Sequence, residues 1–218
     1  MNLRVDLFFV NFFLSAAHAA GPYYLAIQFA ETMWLPSKVI STVLLPRLAE
    51  LHNEEEKRLE ITPLICRLTF NFTALCSLIV ALLVAFVVPL LWGAKFAPAV
   101  ASLWWMLPGI TLWSATRIIA YDFSARGRPE LNSYLAVVVL VINIALNVVL
   151  IPRIGVVGGA ISTTVAYAAN TFATIFLYRQ FSDLPSWKLL VLQREDFGLL
   201  REAAQAAMAK VRRTNSAP

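Results

Sequence analysis

The sequence predicts an all-α membrane protein, with six membrane-crossing helices and a basic tail. Three observations carry this. Residues 68–94, 96–116, 131–152 and 154–178 contain no Asp, Glu, Lys or Arg. Each is long enough to cross a hydrocarbon core about 30 Å thick, which takes about 20 apolar residues at about 1.5 Å of rise each. In lipid the backbone must satisfy its own hydrogen bonds, so such segments are helical. Composition agrees, with 59% hydrophobic and 14% charged residues and a mean hydropathy of +0.69. Finally, the segments joining the apolar runs alternate between basic and nearly uncharged.

Six spans follow, at roughly 3–20, 23–48, 68–91, 99–120, 131–150 and 156–178. The first is barely long enough, with Arg4 and Asp6 in its first turns and a tight outer turn expected at Gly21 and Pro22. Arg4, the apolar run 8–14 and Ala17, His18 and Ala19 imitate a cleavable leader. Asp6 and Asn11 interrupt its apolar core, so a retained span is the better reading. The second span is expected to be broken at Pro36, with Pro46 near its end. It carries Glu31 and Lys38, which helical spacing would place on one face. Residues 47–63 read as a cytoplasmic segment whose charge run, Glu54 to Arg58, is a solvated helix face.

The third span is expected to end at Pro89 and a turn at Leu91, Trp92 and Gly93. Trp104, Trp105 and Trp113 on the fourth read as packing or interface anchors. Residues 122–130 form a short cytoplasmic turn. The fifth span holds Asn143 and Asn147 one turn apart, as helix–helix glue or as a substrate contact. Gly155 and Gly159 open the sixth with a small-xxx-small step that allows close helix approach. In the tail, Phe197, Leu200, Ala204, Met208 and Val211 recur at helical spacing among Arg194, Arg201, Lys210, Arg212 and Arg213. That pattern suits an amphipathic helix on anionic inner-leaflet lipid.

The net charge of +5 is a topology signal, and nucleic-acid binding is not expected. One set of connecting segments holds Arg47, Lys57, Arg58, Arg67, Arg126, Arg128 and Arg179; the other holds only Lys95 and Arg153. The positive-inside rule then places both termini in the cytoplasm. Cys66 and Cys76 are ten residues apart, about 15 Å along a helix, too far to bridge. Asn71 heads a glycosylation sequon inside a span, where it is a chance match.

No phosphate-binding loop, zinc spacing, nucleophile–base pair or external carboxylate pair is present in the sequence, and an enzyme or a cofactor is not expected. What remains is charge inside the membrane: Asp6, Glu31, Lys38 and Arg117, with Arg4 at the margin and His18 near the outer face. A charge at mid-bilayer costs about 2.5–3.5 kcal/mol on insertion scales, so it marks a pathway or pairs with a neighbour.

Several segments together resemble one family. Arg4 to Phe8, Gly21 to Ala26, Ala30 and Glu31 followed by Trp34 to Pro36, and Thr42 to Ala49 look like the seventh and eighth helices of a Wzx-type oligosaccharide flippase, a branch of the MATE-like (MOP) exporter superfamily. Leu91 to Gly93, Phe96 to Ala99, Leu107 to Gly109, and Asn143, Asn147, Ile151, Pro152, Gly155, Gly158 to Ala160, Thr163 and Tyr167 fit the helices that follow. The resemblance covers about residues 1–200. It implies one lobe of a MATE/MOP-like transporter at 1–180, with the tail at 181–218. It also implies translocation of an undecaprenyl-diphosphate-linked oligosaccharide across a bacterial inner membrane. Arg4, Lys38 and Arg117 would then attract the diphosphate, while Asp6 and Glu31 balance charge or carry a coupling ion. The alternatives are a lipid II flippase lobe, a MATE-type cation-coupled drug antiporter lobe, or a non-transporting structural membrane partner or inactive fragment. Because the family has two lobes, a partner lobe or a second copy of the chain is expected.

Overall fold

A computed structural model describes residues 2–14, 17–50, 54–182 and 185–193, together with Asp196 and Gly198. The described chain is helical: α1 (Asn2–Leu14), α2 (Ala17–Thr32), α3 (Leu35–Glu50), α4 (Glu55–Trp92), α5 (Ala97–Ala125), α6 (Pro129–Ile154) and α7 (Val156–Tyr178). Short 3-10 turns lie at Ala94–Phe96 and Ser186–Leu189. Among the described residues, four helices are long and apolar enough to cross a membrane, namely α4, α5 with its preceding turn, α6 and α7. The first two expected spans appear instead as three shorter helices.

The helix packing has a centre and a rim. α5 lies against α2, α3, α4 and α7, while α6 covers α7 and α1. Half of the most apolar window of α7 is buried (50%) against 17% of that of α4. Thus α5 and α7 form the core, and α4 turns much of its surface outward. Polar residues sit at these contacts: Thr111 donates to Ser77 at 3.0 Å, and Thr116 to Thr171 at 2.8 Å. Such bonds are worth about 0.6–2 kcal/mol each within a membrane.

Several expectations are corrected here. Gly21 and Pro22 form no turn but lie inside α2. In water this pair would punctuate the chain. Within lipid the helix absorbs the one missing donor, and both residues are more frequent in spanning helices. The second span does break, at a turn formed by Met33 and Trp34, with Pro36 in the first turn of α3, where its lack of an N–H costs nothing. That turn stands between Glu31 and Lys38, so continuous helical spacing does not place them on one face. The charge run 54–58 is the N-cap and first turn of α4, a helix face as expected. Glu54 to Lys57 are exposed, as expected, but Arg58 is buried. Likewise Asp122 belongs to α5 and is buried, so the turn between α5 and α6 shrinks to Arg126–Arg128.

The glycines of α7 also work differently from the expected pair. Gly155 takes φ +66°, a left-handed conformation that costs other residues more, and marks the boundary between α6 and α7. Close approach belongs to its neighbours: a Cβ on Gly158 would lie 2.6 Å from the backbone of Leu150, and one on Gly159 would lie 2.7 Å from the Tyr23 hydroxyl. Gly109 meets α7 in the same way, with Thr164 Cα at 2.7 Å.

After α7 the chain turns back onto α4. Arg67 donates to both carboxylate oxygens of Asp196, at 2.8 and 2.5 Å, and to the Lys188 carbonyl at 3.0 Å. Asn71 donates to the Leu190 carbonyl at 2.7 Å, and Leu189 is buried beneath. Residues 185–193, with Asp196, thus form a strap tied to α4. The expected amphipathic helix beyond it lies outside the described residues. Cys66 and Cys76 are free thiols.

Candidate functional site

Two polar centres are built into the apolar bundle. The first gathers around Asp6 of α1, which is fully buried. Asn147 Nδ2 donates to Asp6 Oδ1 at 2.6 Å, and the Thr163 hydroxyl donates to Oδ2. Asn147 Nδ2 also donates to Asn143 Oδ1 at 3.2 Å. The two asparagines share a face of α6 because they are one turn apart. Thr163 reaches them because Gly158 and Gly159 let α7 pack closely against α6 and α2. Asn147 Oδ1, Asn143 Nδ2 and the Tyr23 hydroxyl are buried without a hydrogen-bond partner. Carboxylate, amide and hydroxyl oxygens are the ligands that hard cations prefer, and a single carboxylate balances a single charge. No group of three or more His, Cys, Asp or Glu side chains able to hold a metal ion occurs among the described residues.

The second centre is a cavity of about 280 Å³ between α5, α6 and α7. Arg117 lines it, together with Trp113, Tyr121, Asn132, Asn170 and Thr174. The Arg117 guanidinium lies 6.0 Å from the ring centre of Trp34, at the break between α2 and α3. Trp113 is held against Tyr167, with ring centres 4.5 Å apart. Arg117 makes no ion pair among the described residues, and its Nη1 is buried without a partner. An arginine held by a tryptophan face and left without a carboxylate is a cation available to a ligand.

The expected site residues do not converge on one point. Asp6 and Arg117 lie in separate centres. Glu31 is half-buried and lines a smaller cavity of about 240 Å³ with Leu7, Tyr24, Ile27 and Gln28. Lys38 is exposed on α3. Arg4 lies in the first turns of α1, and its side chain is outside the described residues. Asn132, Asn170 and Thr174 escaped the sequence reading. Asn170 and Thr174 are one helical turn apart, and that spacing was the available signal.

A further charged network lies where α4 begins. Asp122, fully buried, accepts from Arg58 Nε at 3.3 Å, from the Thr62 hydroxyl at 3.3 Å and from Arg126 Nε at 2.6 Å. Arg126 also reaches Glu55 at 2.8 Å and lies over the Phe181 ring at 4.9 Å. Burial works against the Arg126 charge, but these carboxylates outweigh it and raise its pKa above the ordinary arginine value. These charges are paired with one another, as in a structural clamp, although Arg58 Nη2 and Arg126 Nη2 are buried without a hydrogen-bond partner.

Comparison with known proteins places the chain. It is 24% identical over 169 residues to the probable low-salt glycan biosynthesis flippase Agl15 of Haloferax volcanii, an alignment that covers 77% of this chain and 36% of that protein. The chain therefore spans little more than a third of that relative's length. No solved structure matches. Flippases are transporters, in keeping with an apolar helical bundle that crosses the membrane several times. Residues 2–208 match the family model described as lipid II flippase MurJ. Within the exporter superfamily the match thus falls on the branch that the sequence left as the alternative to the Wzx type, and the chain belongs to the MurJ lipid II flippase family.

Proposed function

We propose that this chain forms one lobe of a flippase that moves a polyprenyl-diphosphate-linked oligosaccharide from the inner to the outer leaflet of a bacterial cytoplasmic membrane. The observation that carries this is Arg117: a cation at membrane depth, in a cavity, with no carboxylate partner among the described residues. Inside hydrocarbon such a charge is costly unless an anion meets it for part of the cycle. A diphosphate is that anion. Arg4 and Lys38 add cationic character, while Asp6 and Glu31 are the groups for charge balance and coupling. Asp6, with Asn143, Asn147 and Thr163, offers the oxygen ligands for a monovalent coupling cation.

Alternating access requires two bodies that rock against each other. The cycle in this proposal includes a partner lobe, joined to this one or supplied by a second copy. Charge alternation between the connecting segments supports an orientation with both ends of the lobe in the cytoplasm. Lipid II is the second reading, favoured by the family match; the glycan biosynthesis relative favours the first.

Deleting the gene in its host and measuring the sidedness of the lipid-linked saccharide tests the reading. The saccharide should accumulate on the inner leaflet, and its glycan should identify the substrate. Unchanged sidedness would overturn the proposal. Complementation with Arg117→Gln at equal abundance should restore little export, whereas full restoration would remove Arg117 from the pathway.

A further inference from the structure

The Arg117 cavity carries more information than its charge. Asn132 Nδ2 donates to the Ala120 carbonyl at 2.8 Å and to the Ser124 hydroxyl oxygen at 3.1 Å. This fixes the amide: turned over, its oxygen would face the Ala120 carbonyl. The Asn132 Oδ1 is therefore an acceptor, and it is buried without a partner. Asn170 Oδ1, on a side chain only 4% exposed, is likewise buried without a partner, as is the hydroxyl of fully buried Thr174. All three residues line the cavity beside Arg117 Nη1, a donor without a partner. Buried polar groups in folded proteins almost always find a partner. Four unpartnered atoms on residues that line one cavity therefore describe the ligand toward which those side chains would turn.

The balance of donors and acceptors selects that ligand. A phosphate only accepts hydrogen bonds, so against Asn132 Oδ1 and Asn170 Oδ1 it would set oxygen dipoles facing its own charge. A sugar hydroxyl both donates and accepts. It can donate to the two amide oxygens, exchange either way with Thr174, and accept from Arg117. Trp113 and Tyr121 add aromatic walls, which suit the apolar face of a pyranose ring. The volume of about 280 Å³ is near the lower end of the range of roughly 300–1,000 Å³ for small-molecule pockets, room for one ring rather than a whole headgroup.

We infer that the cavity between α5, α6 and α7 is a saccharide subsite, which holds one sugar ring of the transported glycan through Asn132, Asn170 and Thr174. The nature of the cargo rests on the flippase reading above; the chemistry of the cavity does not. In this reading Arg117, which lines the same cavity, donates to a sugar hydroxyl or to the phosphate that follows it.

The test is binding to the full chain in nanodiscs, read by saturation-transfer NMR and tryptophan fluorescence, with an N-acetylglucosamine disaccharide and inorganic pyrophosphate as separate probes. The disaccharide should bind, and Asn170→Leu should weaken it by about tenfold, the loss of one or two hydrogen bonds. Thr174→Val, which keeps the shape of the side chain, should weaken it less, and serves if Asn170→Leu fails to fold. Two results would overturn the subsite: no disaccharide binding, or disaccharide binding that both Asn170→Leu and Thr174→Val leave unchanged. Sugar binding together with unchanged lipid sidedness in the deletion strain would remove the flippase reading and leave the subsite. The reverse pair of results would do the opposite.

Discussion

Arg117 and Arg126 belong to the same helix, one near its middle and the other at its C-terminal cap, and they have opposite surroundings. Arg126 is bound by Asp122 and Glu55 and stacked on Phe181. Arg117 has the Trp34 face and an open cavity. The difference shows how a membrane bundle divides its charged groups. Where the protein supplies the counter-charge, an arginine joins helices. Where it does not, the unmet valence is kept for something that arrives. The Asp6 centre lies between these extremes, since its carboxylate is bonded to protein donors while neighbouring amide atoms stay unpartnered.

The largest expected effect breaks the paired side. Asp122 is the shared acceptor for Arg58, Arg126 and Thr62, so Asp122→Ala leaves Arg58 buried without its counter-charge. Losing one member of a buried pair costs about 3–5 kcal/mol, and thermal unfolding in detergent should show a large fall in Tm. Arg117→Gln, measured in the same way, should change stability by no more than about 0.5 kcal/mol while reducing export. Equal destabilisation by the two substitutions would erase the distinction between them.

The middle case is smaller. Asp6→Ala removes the acceptor for Asn147 Nδ2 and the Thr163 hydroxyl, stranding two donors inside the bundle. A stranded buried donor costs about 1–3 kcal/mol, and polar bonds between membrane helices measure less than those in water, so a total of about 2 kcal/mol is expected. If Asp6 is a coupling group, Asp6→Asn should regain much of the stability and none of the cation dependence of transport. A cation response that survives in Asp6→Asn would assign the centre to packing alone.

How much of this was legible in the sequence differs between the same regions. The four long helices were plain, because the absence of charge over more than 20 residues has no soluble explanation. Asp6 stood out as a charge in an apolar run, and Asn143 and Asn147 stood out by spacing; only Thr163 completing the centre needed the fold. The break at Pro36 followed from its missing N–H, whereas Gly21 and Pro22 misled because their turn preference is measured against water. The clamp was hidden: Arg58 and Asp122 lie 64 positions apart, one in what read as a solvated charge run and the other in what read as a short cytoplasmic turn. The cavity was hidden for a different reason. Asn132 lies on α6 and Asn170 and Thr174 lie one turn apart on α7; all are neutral, and nothing local says that the two helices bring them to one space.

A third arginine sharpens the comparison by pH. Arg67 is paired like Arg126, but its partner Asp196 comes from the strap after α7 rather than from a helix of the bundle. Burial pushes the Asp196 carboxyl up; the Arg67 hydrogen bonds and charge, with the Gln193 backbone N–H, outweigh it and hold the pKa below the ordinary aspartate value. A carboxyl depressed on folding contributes its full share of stability above its unfolded value, near 4, and loses it as pH falls through the lower folded value. The strap should therefore stay docked down to about pH 4 and loosen only below it. Hydrogen exchange of the 186–191 amides, corrected for the intrinsic rate at each pH, reads this directly. Asp196→Asn should show the loosened state already at neutral pH and lose the acid transition, while exchange in the core of α7 stays unchanged. If the variant protects these amides as well as the native chain does, then the buried Leu189 and the Asn71 bond to Leu190 hold the strap without the ion pair.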